Sequence, residues 1–193
     1  MEEIFNDVFD KYVEKYENLL SIESENLSFY PSKGSTGFTE RNQSVNFIYA
    51  YCEYNSGDKI KYWFEFSVNK NEHIDAIIIN NTKKEIIFVE AKRFKNNSNI
   101  NSLYNDFDRL LKLNCLEEFE KRIKLGNDDC YDKWSFYCLL LADLWPNEHK
   151  DFIKEFKVNY EVKRETKNLN LCDHGDYQIA AFLAKKEFCP SEN

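Results

Sequence analysis

Three ionisable residues stand where a β-sheet would ordinarily carry Val or Ile. In residues 74–94, IDAIIINNTKKEIIFVEAKRF, Asp75, Glu90 and Lys92 interrupt two apolar runs joined by a polar turn. If Asn81, Thr82, Lys83 and Lys84 form a hairpin loop, Asn80 faces Glu85, and counting back along both strands places Asp75 opposite Glu90. Opposed residues have Cβ atoms roughly 4.5–5.5 Å apart. Side-chain alternation puts Glu90 and Lys92 on one face and Ala91 on the other. Ile77, Ile79, Ile86 and Phe88 fill the rest of the first face, and Ala76, Ile78, Ile87 and Val89 fill the second. Like charges directly opposed destabilise a hairpin, and a carboxylate in apolar surroundings is costly to ionise. A divalent cation removes both objections, because it binds oxygen ligands and neutralises them. Lys92 adds a positive charge suited to an incoming phosphate or a bound water. A purely structural ion cluster is the alternative reading of the same residues.

The elements needed to position these groups are legible on either side. Ile4, Phe5, Val8, Phe9, Tyr12, Val13, Tyr16, Leu19 and Leu20 recur at helical spacing, which predicts an amphipathic helix over 4–20. A Pro- and Gly-containing loop follows. A helix is expected over 39–54, with Thr39 as N-cap and Val45, Ile48, Tyr49 and Cys52 on its buried side. IKYWFEFSV alternates as a strand over 60–68, with Ile60, Tyr62, Phe64, Phe66 and Val68 on one face and Lys61, Trp63, Glu65 and Ser67 on the other. Strands over 74–80 and 85–93, a helix over 100–124 and a strand over 134–145 come next. The last is almost wholly apolar and so central, covered on both faces. Residues 147–156 read as a short helix and 157–165 as an edge strand. Residues 176–188 are open between strand and helix. Both faces of the hairpin being apolar calls for helices on both sides of the sheet.

The 193 residues are 42% apolar and 16% aromatic, enough for one domain with a real core. A net charge of −8 argues against a general polycation, although a local basic groove is compatible with an acidic body. The six cysteines form no C-x-x-C pair and read as reduced thiols of a cytoplasmic protein. The first residues have no basic start and no long apolar run, so neither a signal peptide nor a membrane span is expected.

The spacing D-x14-E-A-K, with Asp75 on one strand and Glu90, Ala91 and Lys92 on the next, resembles the PD-(D/E)XK nuclease superfamily. The order of expected elements over about 38–146 is similar to that family's core of a helix, three antiparallel strands, a helix and a further strand. Ile74 stands where the family often has proline. The resemblance implies a single nuclease-like domain over 1–193. Its fold class would be α/β, a restriction-endonuclease-like α/β/α sandwich around a central mixed sheet, with an added N-terminal helix.

The resemblance also implies the chemistry, a Mg²⁺-dependent hydrolysis of phosphodiester bonds with Mn²⁺ as a substitute. Asp75, Glu90 and the backbone carbonyl of Ala91 would hold the metal. Lys92 would orient the attacking water or stabilise the transition state. Family members often carry a further Glu or Gln on the preceding helix. Glu40 and Gln43 are the candidates, and Glu40 is preferred as the fourth catalytic residue. Glu65 is a weaker candidate, Asp108 and Arg109 could support the site, and Lys112 is a further cation nearby. Arg41 and the run from Lys92 to Lys95 could grip phosphates. The expected partner is nucleic acid, DNA favoured over RNA, in a restriction, defence or mobile-element setting. No base-reading motif is evident, so specificity would come from loops, a protein partner or a homodimer. A catalytically inactive nuclease-fold binding or assembly module is the alternative function.

Overall fold

The computed structural model describes residues 1–26, 40–68, 72–94, 100–112, 133–144, 161–171 and 175–186. Among them lie three α-helices and six strands: α1 (Phe5–Asn26), α2 (Glu40–Tyr54), β1 (Ile60–Ser67), β2 (His73–Asn80), β3 (Glu85–Phe94), α3 (Ile100–Lys112), β4 (Ser135–Leu144), β5 (Val162–Leu171) and β6 (Gly175–Lys186). The strands form one mixed sheet in the order β1-β2-β3-β4-β6-β5. Only β3 and β4 run parallel. Their crossover carries α3, as a parallel pair requires.

The sheet separates two apolar layers. Ala76, Ile78, Ile87, Val89 and Ala91 face α1 and α2, whose Phe5, Val8, Tyr12, Phe47 and Tyr51 are fully buried there. Ile77, Ile86 and Phe88 face the other way, onto Leu103, Phe107, Leu110 and Leu111 of α3. This is the partition that alternation along the hairpin predicts. Leu139, Leu140, Leu141 and Ala142 of β4 have no solvent exposure, in keeping with a central strand covered on both faces. The expected stripe of α1 is core packing, with Phe5, Val8, Phe9, Tyr12, Val13 and Tyr16 all buried.

The hairpin between β2 and β3 has the expected register. Asn80 pairs with Glu85, and pairing continues to Ala76 opposite Val89. Asn80 locks the turn, because its Oδ1 accepts from the backbone N–H groups of Thr82 and Lys83, both at 3.0 Å. Lys84 closes the loop in the left-handed region, at φ 54°.

Four expectations need correction. The buried side of α2 is Gln43, Ser44, Phe47, Ile48, Ala50 and Tyr51, while Tyr49 is exposed. The helix is rotated from the apolar stripe because it packs against both α1 and the sheet. The even alternation of β1 breaks at Glu65: Ile60 and Phe64 pack on the α1/α2 side, but Phe66 and Val68 pack on the α3 side. Glu65 has φ 51°, a left-handed residue inside a strand, and it reverses the facing of Phe66 and Val68. The third concerns β5, whose described strand begins at Val162 and runs to Leu171, further along the chain than expected, although it is an edge strand. Lastly, α1 extends to Asn26, beyond the expected end at 20. The ambiguous tail is a strand, β6, with Ile179 to Ala184 buried between β4 and β5. Thr39 as N-cap, the continuation of α3 past Lys112 and the helix over 147–156 lie outside the described residues.

Candidate metal and phosphate site

The last paired residues of β2 and β3 are Ala76 and Val89, and β2 leaves the ladder at Asp75. The Asp75 side chain takes over where the backbone stops, its Oδ2 accepting the N–H of Ala91 at 2.6 Å. The carboxyl groups of Asp75 and Glu90 lie close enough to perturb each other's ionisation. Two acids fifteen positions apart thus meet near the C-terminal end of β3, beside β4, where open α/β sheets tend to bind ligands.

Glu90 is only 3% exposed. Burial raises its pKa, the neighbouring Asp75 charge adds to this, and Arg109 and Lys92 partly offset it, leaving the value pushed up to about 8. Asp75 is raised too, by burial first, with the Ala91 N–H, the Glu90 hydrogen bond and Lys92 pulling the other way. The metal-free pair therefore retains a proton near neutrality, and that proton belongs to the pair rather than to one residue. Burial pulls the Lys92 amine down, but the carboxylates of Glu40, Asp106 and Glu90 outweigh it and hold the pKa above the usual lysine value.

The surrounding groups come from α2 and α3. Arg109 Nη2 lies 2.5 Å from Glu90 Oε1 and 3.8 Å from Asp106 Oδ1. Lys92 Nζ lies 3.3 Å from Asp106 Oδ2 and 4.0 Å from Glu40 Oε1. Glu40 Oε1 also accepts the Arg93 N–H at 3.4 Å. Gln43, wholly buried, donates from Nε2 to the Lys92 carbonyl at 3.2 Å. The helix margin that offered Glu40 or Gln43 thus places both near Lys92, one on its side chain and one on its backbone.

The structure brings Asp75, Glu90, Ala91, Lys92 and Glu40 into one region and adds Arg109. It does not bring in Asp108, which pairs with Lys112 at 2.5 Å on the outer side of α3. Arg41 pairs with Glu65 at 3.1 Å, and both are exposed. The Glu65 charge still reaches Asp75, whose pKa it helps to raise. Lys95 lies outside the described residues.

Asp106 is the site residue that sequence reasoning missed. The buried residues Leu103, Phe107, Leu110 and Leu111 define the inner stripe of α3, and a helical wheel sets Asp106 and Arg109 on one flank of it, Asp108 and Lys112 on the other. That signal was available in the spacing.

Among the described residues, no group of three or more His, Cys, Asp and Glu side chains is arranged to hold a metal ion. The oxygen ligands that could suit a hard divalent cation are those of the Asp75–Glu90 pair, whose present counter-charge is the Arg109 guanidinium. Comparison of the chain with protein-family models, with curated proteins and with solved structures gives no match in any of the three. The class that the fold defines is therefore a mixed α/β protein with helices on both faces of a six-stranded sheet. No helix among the described residues is long and apolar enough to cross a membrane.

Proposed function

We propose that the chain is a metal-dependent nuclease of the PD-(D/E)XK type, acting on DNA in preference to RNA. The observation that carries this reading is the meeting of the Asp75 and Glu90 carboxyl groups across the β2–β3 hairpin, with the Lys92 ammonium close by. The succession α2, β1, β2, β3, α3, β4 supports a restriction-endonuclease-like core over about 38–146, with α1, β5 and β6 as additions within one domain.

Asp75 and Glu90 would hold Mg²⁺ or Mn²⁺, with the Ala91 carbonyl as a further oxygen. A bound ion would supply an acidified water and positive charge for the scissile phosphate. Lys92, kept protonated by its carboxylate neighbours, orients that water or balances charge on the phosphorane-like transition state. Glu40, reaching Lys92 from α2, sets the ammonium's position and is a further acceptor for waters of the site. The Ala91 N–H fixes the Asp75 carboxylate, so the acid is held in place rather than free to rotate.

The test is a cleavage assay on plasmid, linear DNA and RNA with Mg²⁺ or Mn²⁺. Asp75→Ala, Glu90→Ala and Lys92→Ala are each expected to lower the rate by about 10² to 10³, the scale of losing one transition-state donor. Equal cleavage by parent and variants overturns the assignment. A second reading, a nuclease-fold binding or assembly module without turnover, is favoured by one observation: Arg109 already neutralises Glu90. It predicts no cleavage and no stabilisation by Mn²⁺.

A further inference from the structure

Glu90 has a resident cation in this structure, and its position bears on how the site would be loaded. The side chain of Glu90 is 4% exposed and that of Arg109 is 35% exposed, so the pair is closed on the acid's side and open on the base's. A divalent cation reaching Glu90 competes with the guanidinium for the same carboxylate. Among the described residues, the other carboxylate that Arg109 approaches within 4.0 Å is Asp106, at 3.8 Å and one helical turn earlier on α3. The two oxygens of Asp106 are divided: Oδ1 faces Arg109, while Oδ2 holds the Lys92 ammonium. A guanidinium takes both oxygens of a carboxylate when it binds in its fork geometry.

We infer that Arg109 is a positioning residue that is handed from Glu90 to Asp106 when a divalent cation enters, and that this hand-over releases Lys92 from Asp106 toward the phosphate. The inference rests on the metal-dependent reading above and adds to it the order of events: loading of the acids and freeing of the amine are one coupled step. Lys112 and Asp108 take no part, because they pair with each other on the outer side of the helix.

The experiment measures Mn²⁺ affinity by calorimetry on the full chain, for the parent, Arg109→Met, Asp106→Asn and the double variant. Each is first checked for an unchanged melting temperature without metal, and Arg109→Gln replaces Arg109→Met if the latter misfolds. Removing the competing guanidinium is expected to tighten Mn²⁺ binding by about tenfold, the effect of a coupling at the lower end of the usual range. Asp106→Asn alone is expected to weaken binding several-fold. In the double variant the Asp106 effect disappears, since nothing remains to be received. Additive effects describe a simple electrostatic field and overturn the hand-over, as does an Arg109 variant that binds Mn²⁺ no better than the parent.

A second readout tracks the amine. Acylation of Lys92, quantified by mass spectrometry, is expected to accelerate on addition of Mn²⁺ in the parent and to be fast with or without it in Asp106→Asn. A Lys92 rate indifferent to Mn²⁺ overturns the release. A parent protein that binds no Mn²⁺ overturns both the hand-over and the metal-dependent reading beneath it. Binding with an additive cycle overturns the hand-over alone.

Discussion

Glu90 occupies a position that β-strands normally give to an apolar side chain, and its environment makes ionisation expensive. Its pKa, pushed up to about 8, lies far above that of the unfolded carboxyl, and Asp75 is shifted in the same direction. The folded metal-free protein thus binds protons that the unfolded chain releases, so stability falls as pH rises between about 4.3, the ordinary Glu value, and about 8. Melting temperature measured across this window without divalent ions is expected to decline, and Glu90→Gln is expected to flatten the decline. A flat profile in the parent contradicts the proton-sharing pair. Added Mn²⁺ should raise the melting temperature most at the upper end of the window, where the pair begins to give up its proton. The stabilisation reaches about 2.7 kcal/mol at a hundredfold excess over Kd.

At the scale of elements, β2 pairs with β1 on one side and, through the turn, with β3 on the other. The turn fixes register through Asn80, and the pairing ends just before Asp75, so the acid's side chain takes the place of a ladder bond. Across from that point Glu65 sits at φ 51° and switches the packing side of β1. A left-handed residue other than glycine costs roughly 1–2 kcal/mol, and such strain tends to concentrate where geometry serves a site. Glu65→Val, which cannot enter that region easily, is expected to lower stability by a further 1–2 kcal/mol or so in urea denaturation, while Glu65→Gly is tolerated. Comparable losses for the two variants contradict a backbone origin. The clean alternation of IKYWFEFSV gave no sign of this switch, because a single dihedral reverses the pattern without altering composition.

For the molecule as a whole, the sheet is the frame, and its centre is β3 and β4. Leu140 lies on the α3 side of β4, without solvent exposure and pressed among Leu110, Cys138 and Phe182. Leu140→Ala is expected to cost about 2–5 kcal/mol, the range for emptying a close-packed site. Chemical denaturation measures it, and a loss below about 1 kcal/mol would mean the two faces are less tightly packed than the layers imply. The net charge of −8 sits on a molecule whose candidate site gathers Lys92 and Arg109 among four carboxylates. Under the proposed function, attraction for a polyanion would therefore come from local cations and a bound metal rather than from the overall field.

Periodicity is a local property, and the sequence determined what depends on it. The hairpin and its register, the two apolar faces, the buried stripe of α1, the central place of β4 and the meeting of Asp75 with Glu90 all follow from side-chain alternation, helical spacing and one turn of known length. The tertiary structure decided what depends on rotation and contact. The angle at which α2 lies between α1 and the sheet buries Gln43 rather than Val45, and the seating of α3 turns Arg109 toward Glu90 and Asp106 toward Lys92. The strand character of residues 175–186 came from pairing with β4 and β5, partners distant in the chain. A charge on a helix carries no record of which neighbour it will face, because a rotation that leaves the apolar stripe buried still changes what its flanks touch.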